Sequence, residues 1–296
     1  MLAPADESWV EIERYAQVSA AQGDALVLAA VGIASRLAQV EDRIGLFVVA
    51  RDAARARHEL NEYRRENPSR RELRLRPAGE GVDAALAYAA VLVVAFVADS
   101  RHLLGIDWSA VGFAGAGRIL GGEWWRAFTA LSLHADFGHL ASNVVAGGVL
   151  GVLLGQALGP GLTWLIVFLA GGVGNAVNAA FQPAAHAAVG ASTAVFAALG
   201  LLSALMWRRA LPRWRRGLRR WLPLAAGVAL LAFLGTAGER TDVGAHVAGF
   251  AVGVACGVVL HLAGSRLPAG RRAQFIYGAA AIALWGATWG LALANS

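Results

Sequence analysis

Gly190-Ala191-Ser192-Thr193-Ala194-Val195-Phe196-Ala197-Ala198-Leu199-Gly200 is the stretch on which the rest of the chain depends. It opens an apolar helix that the pattern carries on to about Met206. A serine stands third in it, flanked by residues with almost no side chain. Small residues let a second helix backbone come close. A later segment has the matching face: Ala245-His246-Val247-Ala248-Gly249-Phe250-Ala251-Val252-Gly253-Val254-Ala255-Cys256-Gly257. Gly249, Gly253 and Gly257 recur every four residues and form one groove along that helix. His246 lies one turn before the groove. Packing the two helices along their small faces brings Ser192 and His246 towards the same membrane surface. A serine hydroxyl is a poor nucleophile until an adjacent base takes its proton. The pair therefore reads as a catalytic dyad inside a membrane.

The bulk properties agree. The 296 residues are 57% hydrophobic and 16% charged, with a mean hydropathy of +0.53, as in polytopic membrane proteins. The net charge is +6 and the pI is near 10.6. A nucleic-acid partner is the ordinary reading of such basicity, but the arginines gather beside apolar segments. Membrane orientation explains that pattern better, and no nucleic-acid partner is expected. The single cysteine, Cys256, excludes an intramolecular disulfide. The start, Met1-Leu2-Ala3-Pro4-Ala5-Asp6-Glu7, is acidic and lacks a basic n-region, so no cleavable signal is expected.

Residues 1–68 form a small soluble α/β domain by pattern. Trp9 to Glu13 alternates as a strand, and Ala16 to Val31 has helical spacing with Gly32 as its stop. Ser35–Val40 and Ile44–Val49 read as strands around a Glu41-Asp42 turn. Asp52 is placed to cap a helix over Ala53–Glu66, which Pro68 ends. This β-α-β-β-α order resembles a small bacterial domain described as signal-transducing, often built as half of a ferredoxin-like sheet. It carries no catalytic cluster. The reading is an interaction or regulatory module with a possible cytoplasmic partner.

Residues 69–81 are a basic linker with Arg70, Arg71, Arg74 and Arg76. Seven apolar segments follow at about 82–98, 138–157, 161–181, 190–207, 221–237, 244–263 and 273–293, each near the length a bilayer demands. Arg208, Arg209, Arg213, Arg215, Arg216, Arg219 and Arg220 lie between the fourth and fifth segments. Arg266, Arg271 and Arg272 lie between the sixth and seventh. With the linker run, all fall on one side. The positive-inside rule then makes the N-terminus cytoplasmic and the C-terminus external. Ser192 and His246 both begin outside-to-inside helices. The expected location is a bacterial plasma membrane.

The loop from Leu103 to Phe137 is semi-apolar, with Ile106, Trp108, Val111, Phe113, Trp124, Trp125 and Phe128. It reads as an interfacial anchor or as a wall shielding a site from lipid. Leu133-His134-Ala135-Asp136-Phe137-Gly138-His139-Leu140-Ala141-Ser142-Asn143 follows. His139 and Asn143 are four apart and share a helix face. Two polar groups on one face of a span, near the level of Ser192, point to oxyanion donors rather than to structural hydrogen bonds alone. The Ser192 backbone N–H is a further donor. His134, at the end of the loop, is read as structural.

Taken together, these residues resemble a rhomboid-family intramembrane serine protease. Trp125-Arg126, His134, His139, Asn143, Gly190-Ala191-Ser192, Gly244-Ala245-His246, Gly249 and Gly253 carry the likeness, which covers roughly residues 80 to 265. The resemblance implies Ser192 as nucleophile, His246 as general base, and His139 and Asn143 as oxyanion donors. It implies an all-α rhomboid-like six-helix core over 82–265. Residues 266–296 then add a seventh C-terminal transmembrane helix, a 6+1 arrangement. It also implies that Phe196 packs on the histidine, and that substrates are transmembrane proteins met in the lipid bilayer. Two positions depart from the family pattern: Thr193 replaces the usual second glycine after the serine, and Ala197 stands where glycine is common.

Asp242, four residues before His246, is read as a loop residue facing water, so a dyad rather than a triad is expected. No metal or other cofactor is implied. His58, His102, His186 and His261 lack ligand spacing, and no His-Glu-x-x-His motif occurs. A transporter or channel would need charged residues within its spans, and these spans hold almost none. A catalytically inactive rhomboid-like binding or quality-control protein is the remaining alternative. Such relatives usually lack the serine or the histidine, whereas both are present here.

Overall fold

The computed structural model describes residues 8–66, 78–210, 218–235, 241–263 and 270–296. The arginines at 70–76, 213–216 and 266 lie outside them. The chain divides into two compact units, Met1–Leu73 and Arg74–Ser296.

The first unit has strands β1 (Trp9–Tyr15), β2 (Ser35–Val40) and β3 (Arg43–Val49), and helices α1 (Val18–Ala30) and α2 (Ala53–Glu66). The strands form an antiparallel sheet in the order β1-β3-β2. Val40 pairs with Arg43 across a two-residue turn in which Glu41 has φ +57°. That tight turn sets the register and sends alternate side chains to one face. Leu46 and Val48 from the central strand meet Leu28 of α1 and Ala56 and Leu60 of α2 in a closed apolar core. Asp52 lies in a short 3-10 turn before α2. Beside the core, Arg64 bridges Glu13 and Asp24, each at 2.6 Å, and Asp24 also accepts the Tyr15 hydroxyl at 2.6 Å. This cluster ties α2 to β1 and α1.

The second unit is helical. Its long helices are α3 (Ala78–Ser100), α7 (Phe137–Leu158), α8 (Pro160–Ala179), α9 (Ser192–Ala210), α10 (Leu222–Leu234), α11 (Val243–Ala263) and α12 (Arg271–Ala294). Every apolar segment expected to cross a membrane is a helix. Five of them are long and apolar enough to do so by length and composition: α3, α7, α8, α11 and α12. The other two are shorter apolar helices. α10 has 13 residues and so rises only about 20 Å, against the ~30 Å of a bilayer core. Large apolar side chains stand exposed on the outer helices, among them Val94, Val145, Val149, Phe233 and Ile282.

α9 is apolar on all sides and buried through Ala194, Ala197, Ala198, Leu201 and Ala204, which makes it the central helix. α11 lies against it backbone to backbone. A Cβ added at Gly249, Gly253 or Gly257 would overlap Thr193, Ala197 or Ala204 of α9, and one at Gly200 would overlap the Phe250 carbonyl. The glycine groove therefore brings the facing helix to backbone contact at Thr193 and Ala197, with the Ala204 methyl against Gly257. The Thr193 methyl fills the niche between Gly249 and Gly174 of α8.

Between α3 and α7 the chain makes three short helices, α4 (Trp108–Gly112), α5 (Ala116–Leu120) and α6 (Arg126–Thr129), and a two-residue strand β4 (Ala114–Gly115). β4 pairs with β5 (Ala187–Ala188), which leads into Gly190. The semi-apolar loop is thus stitched to the segment before Ser192.

α12 packs closely on the same region. The Gln274 side chain accepts from Leu162 N at 3.0 Å and donates to the Leu158 carbonyl at 3.2 Å, bracketing the start of α8. The indoles of Trp285 and Trp289 both donate to the Ser132 hydroxyl, at 3.3 and 3.1 Å.

Candidate active site

Ser192 is the first residue of α9. The first N–H groups of a helix lack intrahelical partners and carry its positive dipole end. The approach to this helix is tightly held. Gly190 donates its N–H to the Ala130 carbonyl at 2.9 Å. Its φ of +134° lies where an L side chain is strained, and a Cβ there would strike the His139 ring. The His139 imidazole therefore lies against the backbone two residues before Ser192.

His139 and Asn143 sit on the first turns of α7. Asp136 caps that helix by accepting from the His139 backbone N–H at 2.8 Å. Asn143 is buried, and its Nδ2 donates to the His139 carbonyl at 2.9 Å. In this arrangement one amide hydrogen is spent within the helix.

His134 is also buried, and its Nε2 accepts from the Ala191 N–H at a long 3.4 Å. Its ring meets that of His139 edge to face, with centroids 5.1 Å apart. Burial, with a smaller contribution from His139, lowers its pKa to about 4. Accepting at Nε2 requires the neutral ring, so the bond and the shift agree.

His246 lies in the first turn of α11, buried, with its ring 4.3 Å from that of Phe196. Its Nδ1 is 2.9 Å from the carbonyl oxygen of Gly235, at the C-terminal end of α10. A carbonyl only accepts, so Nδ1 carries the proton and Nε2 is the basic nitrogen.

Trp125 and Arg126 do their work in the loop. Arg126 is buried, pairs with Glu123, and donates to the carbonyls of Ala110 at 3.2 Å and Phe113 at 3.4 Å. Trp125 packs in a cluster with Leu133 and Trp289. Both residues shape the loop that carries β4.

One expectation is corrected. Asp242 does not face water. Its side chain is 15% exposed, lies 2.7 Å from His186 Nε2, and accepts from Asn178 Nδ2 at 2.8 Å. It also caps α11, accepting from Ala245 N at 3.0 Å. His186, read as one of the scattered histidines, is its partner. The cap was signalled by an acid just before an apolar helix. The histidine gave no local signal. Nor did Ser132, which holds two indoles, or the Gly235 carbonyl, which holds His246.

Comparison with known proteins agrees with the pattern of helices and polar residues. Residues 121–263 match the model of the Rhomboid domain. The chain is 38% identical over 84 residues to rhomboid protease GluP of Bacillus subtilis, covering 28% of this chain and 16% of that protein. A second Bacillus subtilis protein, YdcA, whose name also refers to rhomboid, is 34% identical over 83 residues, 28% of this chain and 42% of its own. Rhomboid-like protease 2 of Toxoplasma gondii is 27% identical over 143 residues, 47% of this chain and 49% of its own. The matches thus span less than half the length of these relatives. With its apolar helices, the chain is an integral membrane protein. Over residues 121–263 it is similar to the rhomboid family.

Proposed function

We propose that this protein is an intramembrane serine endopeptidase that cleaves transmembrane-segment substrates near the outer membrane surface, with Ser192 as nucleophile and His246 as base. One observation carries the reading most: the contact between His246 Nδ1 and the Gly235 carbonyl. A triad needs a group that fixes the tautomer and orientation of its histidine. Here the carbonyl end of α10 supplies that group, and its partial negative charge favours the imidazolium formed during reaction. The Phe196 ring holds the imidazole from one face. The similarity to proteins named as rhomboid proteases supports the same chemistry.

In this mechanism a substrate segment unwinds near the outer surface, because a helical peptide bond is already hydrogen-bonded and covered. The Ser192 hydroxyl attacks the carbonyl carbon while His246 Nε2 takes its proton. The Ser192 N–H, His139 and Asn143 receive the oxyanion, for which Asn143 must turn a donor from the His139 carbonyl or use its second amide hydrogen. His246 then gives its proton to the leaving amine, and the acyl-enzyme remains. Water, deprotonated by His246, attacks that ester and releases Ser192. The arginine runs between apolar segments support a cytoplasmic N-terminal unit and an external C-terminus.

A serine-directed fluorophosphonate probe tests this in native membranes. Wild type labels, Ser192→Ala does not, and His246→Ala labels far more slowly. Equal labelling of wild type and Ser192→Ala at equal abundance would refute the nucleophile.

A further inference from the structure

We propose that His186 and Asp242 form a positioning link that holds the segment entering Ser192 against the helix that carries His246. The inference rests on the protease reading for its consequence, though not for the link itself. Ser192 follows His186 by six residues, and His246 follows Asp242 by four. The two elements come from parts of the chain 56 residues apart and meet in one bond, His186 Nε2 to Asp242 Oδ2 at 2.7 Å.

Asp242 divides its oxygens between two tasks. Oδ1 caps α11 through the Ala245 N–H at 3.0 Å, and the Asp242 backbone carbonyl accepts from the His246 N–H at 3.2 Å. The first turn of α11, with His246 in it, is therefore anchored on this one residue. Oδ2 faces the other way and takes two donors, His186 Nε2 and Asn178 Nδ2 of α8 at 2.8 Å. Gln182 Nε2 donates to the Asn178 side-chain oxygen Oδ1 at 3.2 Å. This amide pair lies directly on Gly244: a Cβ there would come within 2.9 Å of Gln182 Nε2. His186 is fixed in turn by its backbone, whose carbonyl accepts from Ala116 N at 2.9 Å, just before β5 pairs with β4. Both ends of the link are anchored, so it transmits position.

The chemistry of Asp242 makes the two tasks separable. Asn caps a helix as well as Asp does. In Asp242→Asn, an amide whose oxygen stays on Ala245 N would turn its own donor towards Asn178 Nδ2, and His186 would have to reverse its tautomer to meet it. Asp242→Asn therefore keeps the cap and weakens the link: the charged acceptor is gone, Asn178 Nδ2 faces a donor, and only the reversed His186 tautomer still bonds. His186→Gln keeps an N–H donor on a side chain of similar reach, and His186→Ala keeps none.

Hydrogen exchange read by mass spectrometry on the full chain tests the link without reference to activity. His186→Ala is expected to speed exchange in residues 187–191 and, across the gap, in 243–247. Asp242→Asn should do the same, and the double variant should add little. His186→Gln should restore slow exchange in both segments. A change confined to the neighbourhood of residue 186, with 243–247 as in wild type, would overturn the link. If His186→Ala does not fold, His186→Phe, which keeps a ring but no N–H, takes its place against His186→Gln, and equal exchange in 243–247 for these two would overturn the link. In the second arm, the fluorophosphonate labelling rate per folded protein should fall on the order of 10- to 100-fold in His186→Ala, the scale of an ångström-sized misplacement. His186→Gln should recover most of it. Wild-type labelling rates in both His186→Ala and Asp242→Asn would overturn the positioning role. A wild-type protein that never labels would instead refute the protease reading, while the exchange arm still decides the link.

Discussion

Trp289 donates its indole N–H to the hydroxyl of Ser132, 3.1 Å away, and so fastens α12 to the turn that precedes His134. Trp285 binds the same oxygen at 3.3 Å. Trp289 also covers Gly112, where a Cβ would overlap its ring, and packs with Leu133. The seventh apolar helix is therefore part of the scaffold around the proposed site. Trp289→Ala should destabilise the protein by about 3–5 kcal/mol, the range for emptying a buried aromatic site. Ser132→Ala should cost about 1–3 kcal/mol, because one buried and one half-buried indole donor lose their acceptor. Unfolding midpoints in detergent check both. A Trp289→Ala protein that melts with wild type would show that α12 is a passenger.

The backbone contact between α9 and α11 gives a sharper contrast. Gly253→Ala would drive a methyl group into the Ala197 carbonyl. It should lower the unfolding temperature and abolish labelling, since neither backbone has a rotamer by which to yield. Gly286→Ala on α12 meets nothing within 4 Å. It should be neutral or stabilise by about 0.4–1 kcal/mol. Similar effects of the two substitutions on melting and labelling would mean that the groove is loosely packed.

His134 sets an acid limit. Its pKa in the folded protein is lowered to about 4 from an ordinary value of 6.5, first by burial and then by His139. The folded state thus binds fewer protons than the unfolded state between these values. The neutral ring's contribution is complete above about pH 6.5 and is lost as the pH falls towards 4. The full effect is on the order of 3 kcal/mol. Protonation also turns the acceptor facing Ala191 N–H into a donor. Thermal stability should therefore fall through this window, and His134→Gln should flatten the fall. An unchanged acid limb in that variant would remove His134 as its cause.

Asn143→Ala and His139→Ala should each lower kcat by roughly ten- to a thousandfold, the range for removing one oxyanion donor. Some cleavage should survive in each, because neither group is the proposed nucleophile or base. Cleavage of a model transmembrane substrate measures this. Wild-type rates in both variants would leave the oxyanion without these donors.

The N-terminal unit has its own apolar core, centred on Leu28, Leu46, Val48 and Leu60. A truncated chain starting near Arg70 should still insert and label at equal membrane abundance. Its arginines must be kept, since the proposed orientation of the first span rests on them. Complete loss of labelling after correct insertion would make this unit part of the catalytic machine.

How much of this was legible in the sequence depends on the range of the signal. The Ser35–Val49 hairpin has its turn residues between its strands, and the glycines of α11 repeat along one helix. Such local periods are readable without a partner. Residues 101–136 are not, because helices of four or five residues carry no period. Their order comes from remote bonds, such as the Thr129 hydroxyl to the Gly112 carbonyl at 2.7 Å and β4 to β5. Ser192, His246, His139 and Asn143 stood out as polar residues in apolar helices. Asp242 stood outside such a helix, and in a loop an acid is ordinary. Its burial depends on His186 and Asn178, whose distance in the chain hides them. Thr193, which stands where the family usually has glycine, turns its methyl into the niche left by Gly174 and Gly249.

The place of α12 in the chain order bears on synthesis. The ribosome makes Ser132, His134, Ser192 and His246 well before Trp285 and Trp289. Until those indoles arrive, the Ser132 hydroxyl lacks its donors and Leu162 N lacks Gln274. A nascent chain already inserted through α11 therefore holds every proposed catalytic group on an unbraced frame. The bonds from α12 to Ser132 and to Leu162 N are therefore added to this frame only after α11 has been made.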